Sequence, residues 1–93
     1  MEGFFPADDF LAQLELGLAK LDFQSERYEE ARKRFRKIYE EHPASGAAPE
    51  ALYWSGVSAY KATNDAQHLK ATGILLKEKY PDSEWLRKAS VWI

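Results

Sequence analysis

The stretch YEEARKRFRKIYEEHPAS, residues 28–45, carries the reading of this chain, and its ending is written a second time. EHPAS at 41–45 returns as KYPDS at 79–83, which puts Pro43 and Pro81 38 residues apart. Each copy closes a charged amphipathic run. In the first run Tyr28, Ala31, Phe35 and Ile38 recur at three and four residues, the spacing that lines one face of a helix. A shift of 38 sets Ala31 on Leu69, Phe35 on Gly73, Ile38 on Leu76 and Ser45 on Ser83. Bulk lost at Gly73 is partly regained one turn earlier at Leu69, as a close-packed interior requires. The chain reads as two copies of a helix–turn–helix unit.

Outward from these copies, the segments between the Pro and Gly clusters are helical in pattern. Asp8 or Asp9 is placed to cap a helix running to about Phe23, with Leu11, Leu14, Leu18 and Leu21 as its apolar recurrence. Ser25 is placed to cap a second helix over 27–41, which Pro43 ends. HPASGAAP is the longest loop. Pro49 suits the first turn of a third helix over 49–62, where its missing N–H has no partner to lose. Asp65 caps a fourth helix to about Tyr80, with Leu69, Leu76 and Tyr80 on its stripe. Ser83 caps a short fifth helix with Trp85, Leu86, Ala89, Trp92 and Ile93 on one side. Nothing alternates like a strand, so the fold class is all-α, five helices.

At these positions the sequence resembles the tetratricopeptide repeat, whose pattern is W-x2-L-G-x2-Y, A-x3-F and P over 34 residues. Tyr28, Ala31, Phe35 and Pro43 match its second half, and Leu52, Gly56 and Tyr60 in ALYWSGVSAY resemble its first. Ala19 stands where the family prefers glycine, and Leu69 and Gly73 replace the A-x3-F pair. The longer period places its surplus in the SGAAP loop and the KATND turn, where insertions are tolerated. The long-loop form is similar to bacterial repeats, and DDFLAQLELGLAK with YPDSEWLRKASVW is similar to tails behind thioredoxin-like domains. The resemblance implies one domain: a first repeat over 8–43, a second over 49–81 and a capping helix over 83–93, stacked as a short solenoid. Cytoplasm and periplasm are equally compatible with it.

Composition bounds the function. Ninety-three residues with a 45% apolar fraction and net charge −2 suit one packed domain without bias toward nucleic acid or membrane. The chain has no cysteine, which removes disulfides, thiol redox chemistry and Cys-ligated zinc. No apolar run approaches the length of a membrane span. MEGFFPADDF lacks the pattern of a signal peptide and reads as the end of a linker, so a fragment of a larger protein is expected.

Catalytic constellations do not emerge. His42 and His68 have no partner at ligand spacing, and Asp8 and Asp9 are explained by capping. No phosphate-binding loop or nucleophile elbow is present, and no cofactor or metal is expected. Gly17, Gly56 and Gly73 lie inside helices, where glycine costs about 1 kcal/mol against alanine; close helix contact accounts for Gly56 and Gly73. The basic run Arg32–Lys37 invites a nucleic-acid reading. Helical spacing instead sets Glu29 to Lys33, Glu30 to Arg34, Arg36 to Glu40 and Lys37 to Glu41, pairs that neutralise it.

A partner-binding surface follows from the resemblance, because the first helix of each pair lines the concave face in that family. Carried over by position, it comprises Leu16, Lys20, Phe23, Tyr53, Val57, Tyr60 and Lys61. Trp54 reads as core, while Tyr53 and Tyr60 stand open between groove and core. Polar-tipped aromatics beside lysine suit an extended peptide. The expected role is a protein-interaction module with no catalysis of its own. Its partners would be a protein or peptide, a missing domain of a parent chain, or a second copy. An accessory domain of a thioredoxin-like redox or chaperone protein is the alternative.

Overall fold

The computed structural model describes residues 6–92 and, among these, the side chains of residues 9–91. Five α-helices follow one another: α1 Pro6–Gln24, α2 Tyr28–Glu41, α3 Ala48–Thr63, α4 Gln67–Lys79 and α5 Glu84–Ala89, with a closing 3₁₀ turn Ser90–Trp92. No strand occurs among the described residues. The fold is all-α, with α1 against α2, α2 against α3, α3 against α4, and α5 closing on α3 and α4. Its Cα extents of 39 × 27 × 16 Å describe a slab whose short axis holds about two helix layers, given interaxial distances of about 8–10 Å.

The 38-residue repeat is present in the backbone. His42 and Tyr80 end α2 and α4 in one conformation, with φ, ψ of −130°, 56° and −136°, 62°. The next bonds also match: Ser45 N–H donates to His42 O and Ser83 N–H to Tyr80 O, both at 3.0 Å. Glu26 and Asn64, again 38 apart, both take the left-handed conformation at φ 63° and 60°. Position 42/80 makes a tertiary contact in both copies, within the first hairpin at His42 and back to the end of the first hairpin at Tyr80. His42 Nε2 lies 3.6 Å from Glu15 Oε1 on α1, and Tyr80 Oη donates to Pro43 O at 3.0 Å.

Helix ends follow turn chemistry, with shifts. Ser83 accepts from Trp85 N–H at 3.0 Å as the cap of α5, and Asp65 accepts from Gln67 N–H at 2.9 Å at the start of α4. Pro49 sits in the first turn of α3. Ser25 does not cap α2: Arg27 holds that position without a side-chain bond, because left-handed Glu26 has already turned the chain. Nor does Asp9 cap α1, which begins at Pro6. Its Oδ1 instead accepts from Gly46 N–H at 2.8 Å, fastening α1 to the α2–α3 loop. The side chains of Asp8 and Trp92, residue Ile93, and the aromatics at 3–5 lie outside the described residues.

Two apolar clusters meet along α3. Ala12, Leu16 and Ala19 of α1 pack with Ala31, Phe35 and Ile38 of α2 and with Ala47 and Ala51. Leu52, Leu76 and Ala89 form the second, flanked by Tyr39, Tyr53, Leu75, Tyr80, Trp85 and Leu86. Ala51 and Leu52, neighbours in α3, belong to different clusters, so α3 joins them. Gly56 marks a close approach of α3 to α4: a Cβ there would stand 2.6 Å from Thr72 Cβ.

The apolar recurrence expected of α1 is on its outer side. Phe10, Leu11, Leu14, Leu18 and Leu21 are each 48–65% exposed. The buried side is Ala12, Leu16 and Ala19, with Phe23 half-buried beside them. Both sets recur at three and four residues, so periodicity is satisfied by either. Packing chooses the alanine side because Phe35 and Ile38 of α2, both fully buried, need room over small neighbours.

Candidate interaction surface

The odd-numbered helices share an aromatic ladder. Phe23, at the end of α1, meets Tyr28 of α2 edge-on at 5.2 Å and Trp54 of α3 at 5.4 Å. Trp54 meets Tyr53 at 5.3 Å, and Tyr53 meets Trp85 of α5 at 5.0 Å. Trp54 and Trp85 close the triangle at 6.5 Å. These are edge-to-face and tilted separations, each stabilising by about 0.5–1.5 kcal/mol beyond area burial. Lys88 Nζ stands 5.0 Å over the Trp85 ring. All five aromatics are partly buried.

Polar groups fix the ladder's flank. Glu50 Oε2 accepts from Trp54 Nε1 at 3.2 Å and pairs with Lys20 Nζ at 2.6 Å. Lys20 therefore bridges α1 to α3. A cavity of about 270 Å³ opens beside it, lined by Lys20, Phe23, Gln24, Phe35 and Trp54. Lys61 borders a separate shallow hollow against the α1–α2 turn, next to Tyr28.

Of the residues the sequence proposed, Phe23 and Tyr53 are rungs of the ladder, and Lys20 lies at the cavity rim. Val57 and Tyr60 are half-buried further along α3, and Lys61 is exposed at its end. Leu16 is a correction: at 3% exposure it belongs to the core beneath this surface. Trp54 and Trp85 were outside the proposed set. Trp54 reads as core from its helical spacing and Trp85 as a cap over the fourth helix. A signal was present in the adjacent Tyr53–Trp54 pair, since neighbours on a helix point about 100° apart and do not both face the same way.

The three arginines of the basic run of α2 pair with acids. Arg36 pairs with Glu40 at 2.9 Å and Arg32 with Glu29 at 3.6 Å. Arg34, expected to pair with Glu30, instead reaches Asp22 Oδ2 at 2.7 Å, and Arg27 binds the same carboxylate through Oδ1 at 2.9 Å. A nearly buried carboxylate attracts guanidinium more strongly than an exposed one four residues away. Burial pushes the Tyr39 and Tyr80 phenols above the ordinary tyrosine range.

Among the described residues no three His, Asp or Glu side chains gather to hold a metal, and no helix is long and apolar enough to cross a membrane. Comparison with protein-family models, curated proteins and solved structures finds no match.

Proposed function

We propose that this chain is a protein-interaction module, a short stack of two tetratricopeptide-like hairpins that docks an extended peptide or a neighbouring domain along the odd-numbered helices. The observation that carries the reading is the ladder from Tyr28 through Phe23, Trp54 and Tyr53 to Trp85, partly exposed along its whole length. Aromatics of this kind present large area at low entropic cost and dominate peptide recognition. Lys88 at its edge, over the Trp85 ring, favours a ligand carrying acidic groups beside apolar ones. In this reading the chain has no catalysis of its own and uses no cofactor. Arg32–Lys37 does not bind nucleic acid, because its arginines are already paired with carboxylates.

Selection from a random peptide library displayed on phage tests the reading. Enriched peptides should combine apolar or aromatic residues with Asp or Glu, and Trp85→Ala should weaken them at least about tenfold, the effect of a modest hot spot. Failure to enrich, or enriched peptides indifferent to Trp85→Ala, refutes docking on the ladder. Tyr53→Ala and Tyr60→Ala extend the test: either substitution that unfolds the chain assigns that residue to the core.

A further inference from the structure

We infer that the outer face of α1 is a self-association surface, on which a second copy of this chain lays its own α1 antiparallel. The face is Phe10, Leu11, Leu14, Leu18 and Leu21, all about half-exposed or more. Together they present on the order of 500 Å² of apolar side chain, at the upper end of the largest patch a typical monomer shows. Two such faces bury about 1,000 Å², the threshold of a specific interface, before any rim is counted.

Three features point to a second copy. The leucine spacing is three, four, three, the a/d spacing of a coiled-coil seam. It reads the same from either end, so a two-fold axis across the helix near Leu16 sets Leu11 of each copy on Leu21 of the other and Leu14 on Leu18. A palindromic stripe is complementary to itself, as a two-fold contact demands. The face also carries no charge to oppose a like face. Of the charged residues of α1 with described side chains, Asp9 accepts from Gly46, Lys20 pairs with Glu50 and Asp22 with two arginines, while Glu15 lies 3.6 Å from His42. Finally, Gly17 borders this stripe, and a Cβ there would meet nothing within 4 Å. A mid-helix glycine with no close neighbour in its own chain leaves room for one from outside. The antiparallel choice follows from the helix dipoles, which attract when opposed. A lipid surface fits less well, since interfacial helices carry Lys and Arg along the polar face, whereas α1 has one lysine, already paired, against several acids.

Of the ladder only Phe23 belongs to α1, and it packs on the buried side away from the leucines, so either proposal can fail alone. The test is sedimentation velocity over a concentration series. The chain should pass from monomer to dimer, and Leu14→Glu/Leu18→Glu should weaken the dimer about 100-fold or more by carrying carboxylates into the seam. Both positions are exposed, so the variant keeps its circular dichroism and unfolding midpoint, and library peptides still bind it. Because the chain has no cysteine, Leu11→Cys and Leu21→Cys variants give a clean register test. Oxidation should cross-link the mixture and neither variant alone. A strict monomer, or a dimer indifferent to the double substitution, overturns the inference. So does cross-linking of each variant with itself. A monomer that co-sediments with phosphatidylcholine vesicles assigns the face to lipid and overturns it too.

Discussion

Gly56→Ala sets two opposed effects against each other. In a helix interior alanine is favoured over glycine by about 1 kcal/mol, so local propensity predicts a more stable chain. The structure predicts the reverse. The new Cβ would lie 2.6 Å from Thr72 Cβ and 2.8 Å from its Cγ2. Carbon atoms in contact ordinarily stand about 3.5–4.0 Å apart, so α3 and α4 must part by about 1 Å or Thr72 must leave. Thr72 is held: it is β-branched, and its hydroxyl donates to His68 O at 2.7 Å. Overpacking of this sort costs about 1–3 kcal/mol, which leaves a net loss of up to about 2 kcal/mol after the propensity gain. In a chain of this size that lowers Tm by up to about 16 °C. Gly17→Ala is the matched comparison, because nothing stands within 4 Å of its Cβ position. Measured at a concentration where the chain is monomeric, it should gain about 1 kcal/mol. Urea unfolding followed by far-ultraviolet circular dichroism reads both, with the m-value held constant between variants. A Gly56→Ala midpoint above that of the parent chain, as Gly17→Ala should show, would refute the close contact.

Two further outcomes follow from buried groups. Ser58 is fully buried on α3 and its Oγ has no hydrogen-bond partner; Ser58→Ala should raise stability by about 1 kcal/mol by removing an unsatisfied hydroxyl, and a lowered urea midpoint would contradict this. The raised phenol pKa values of Tyr39 and Tyr80, caused chiefly by burial, make stability alkali-sensitive. The unfolded chain loses these protons first, at about pH 10, so stability is complete below that pH and falls as pH rises toward the folded values. Tyr39→Phe/Tyr80→Phe should flatten the fall in urea midpoint above pH 10, and an unchanged slope would exclude these phenols as its source.

Much of the architecture is legible residue by residue. Pro43 and Pro81 mark the matched turns, Pro49 opens α3, Asp65 and Ser83 accept from the first N–H groups of α4 and α5, and the helical period lies in Tyr28, Ala31, Phe35 and Ile38. Such signals are local: a turn residue or a helical face needs only its own few neighbours in the chain. The surface was less legible. Phe23 and Tyr53 enter only through the resemblance, with Tyr53 open between groove and core, and the ladder exists because α5 folds back and brings Trp85 to 5.0 Å from Tyr53. Likewise Arg34 turns from Glu30, four residues away in its own helix, to Asp22 on α1.

The deepest division is within α1. Its residues alone establish that it is a helix with apolar side chains on two opposite faces. They do not say which face goes inward, because Leu11, Leu14, Leu18 and Leu21 meet the periodicity as well as Ala12, Leu16, Ala19 and Phe23 do. The answer comes from the shape of what α1 packs against. Phe35 and Ile38 fill the space over the alanines and turn the leucines outward, since burial is settled by the fit between surfaces distant in the chain.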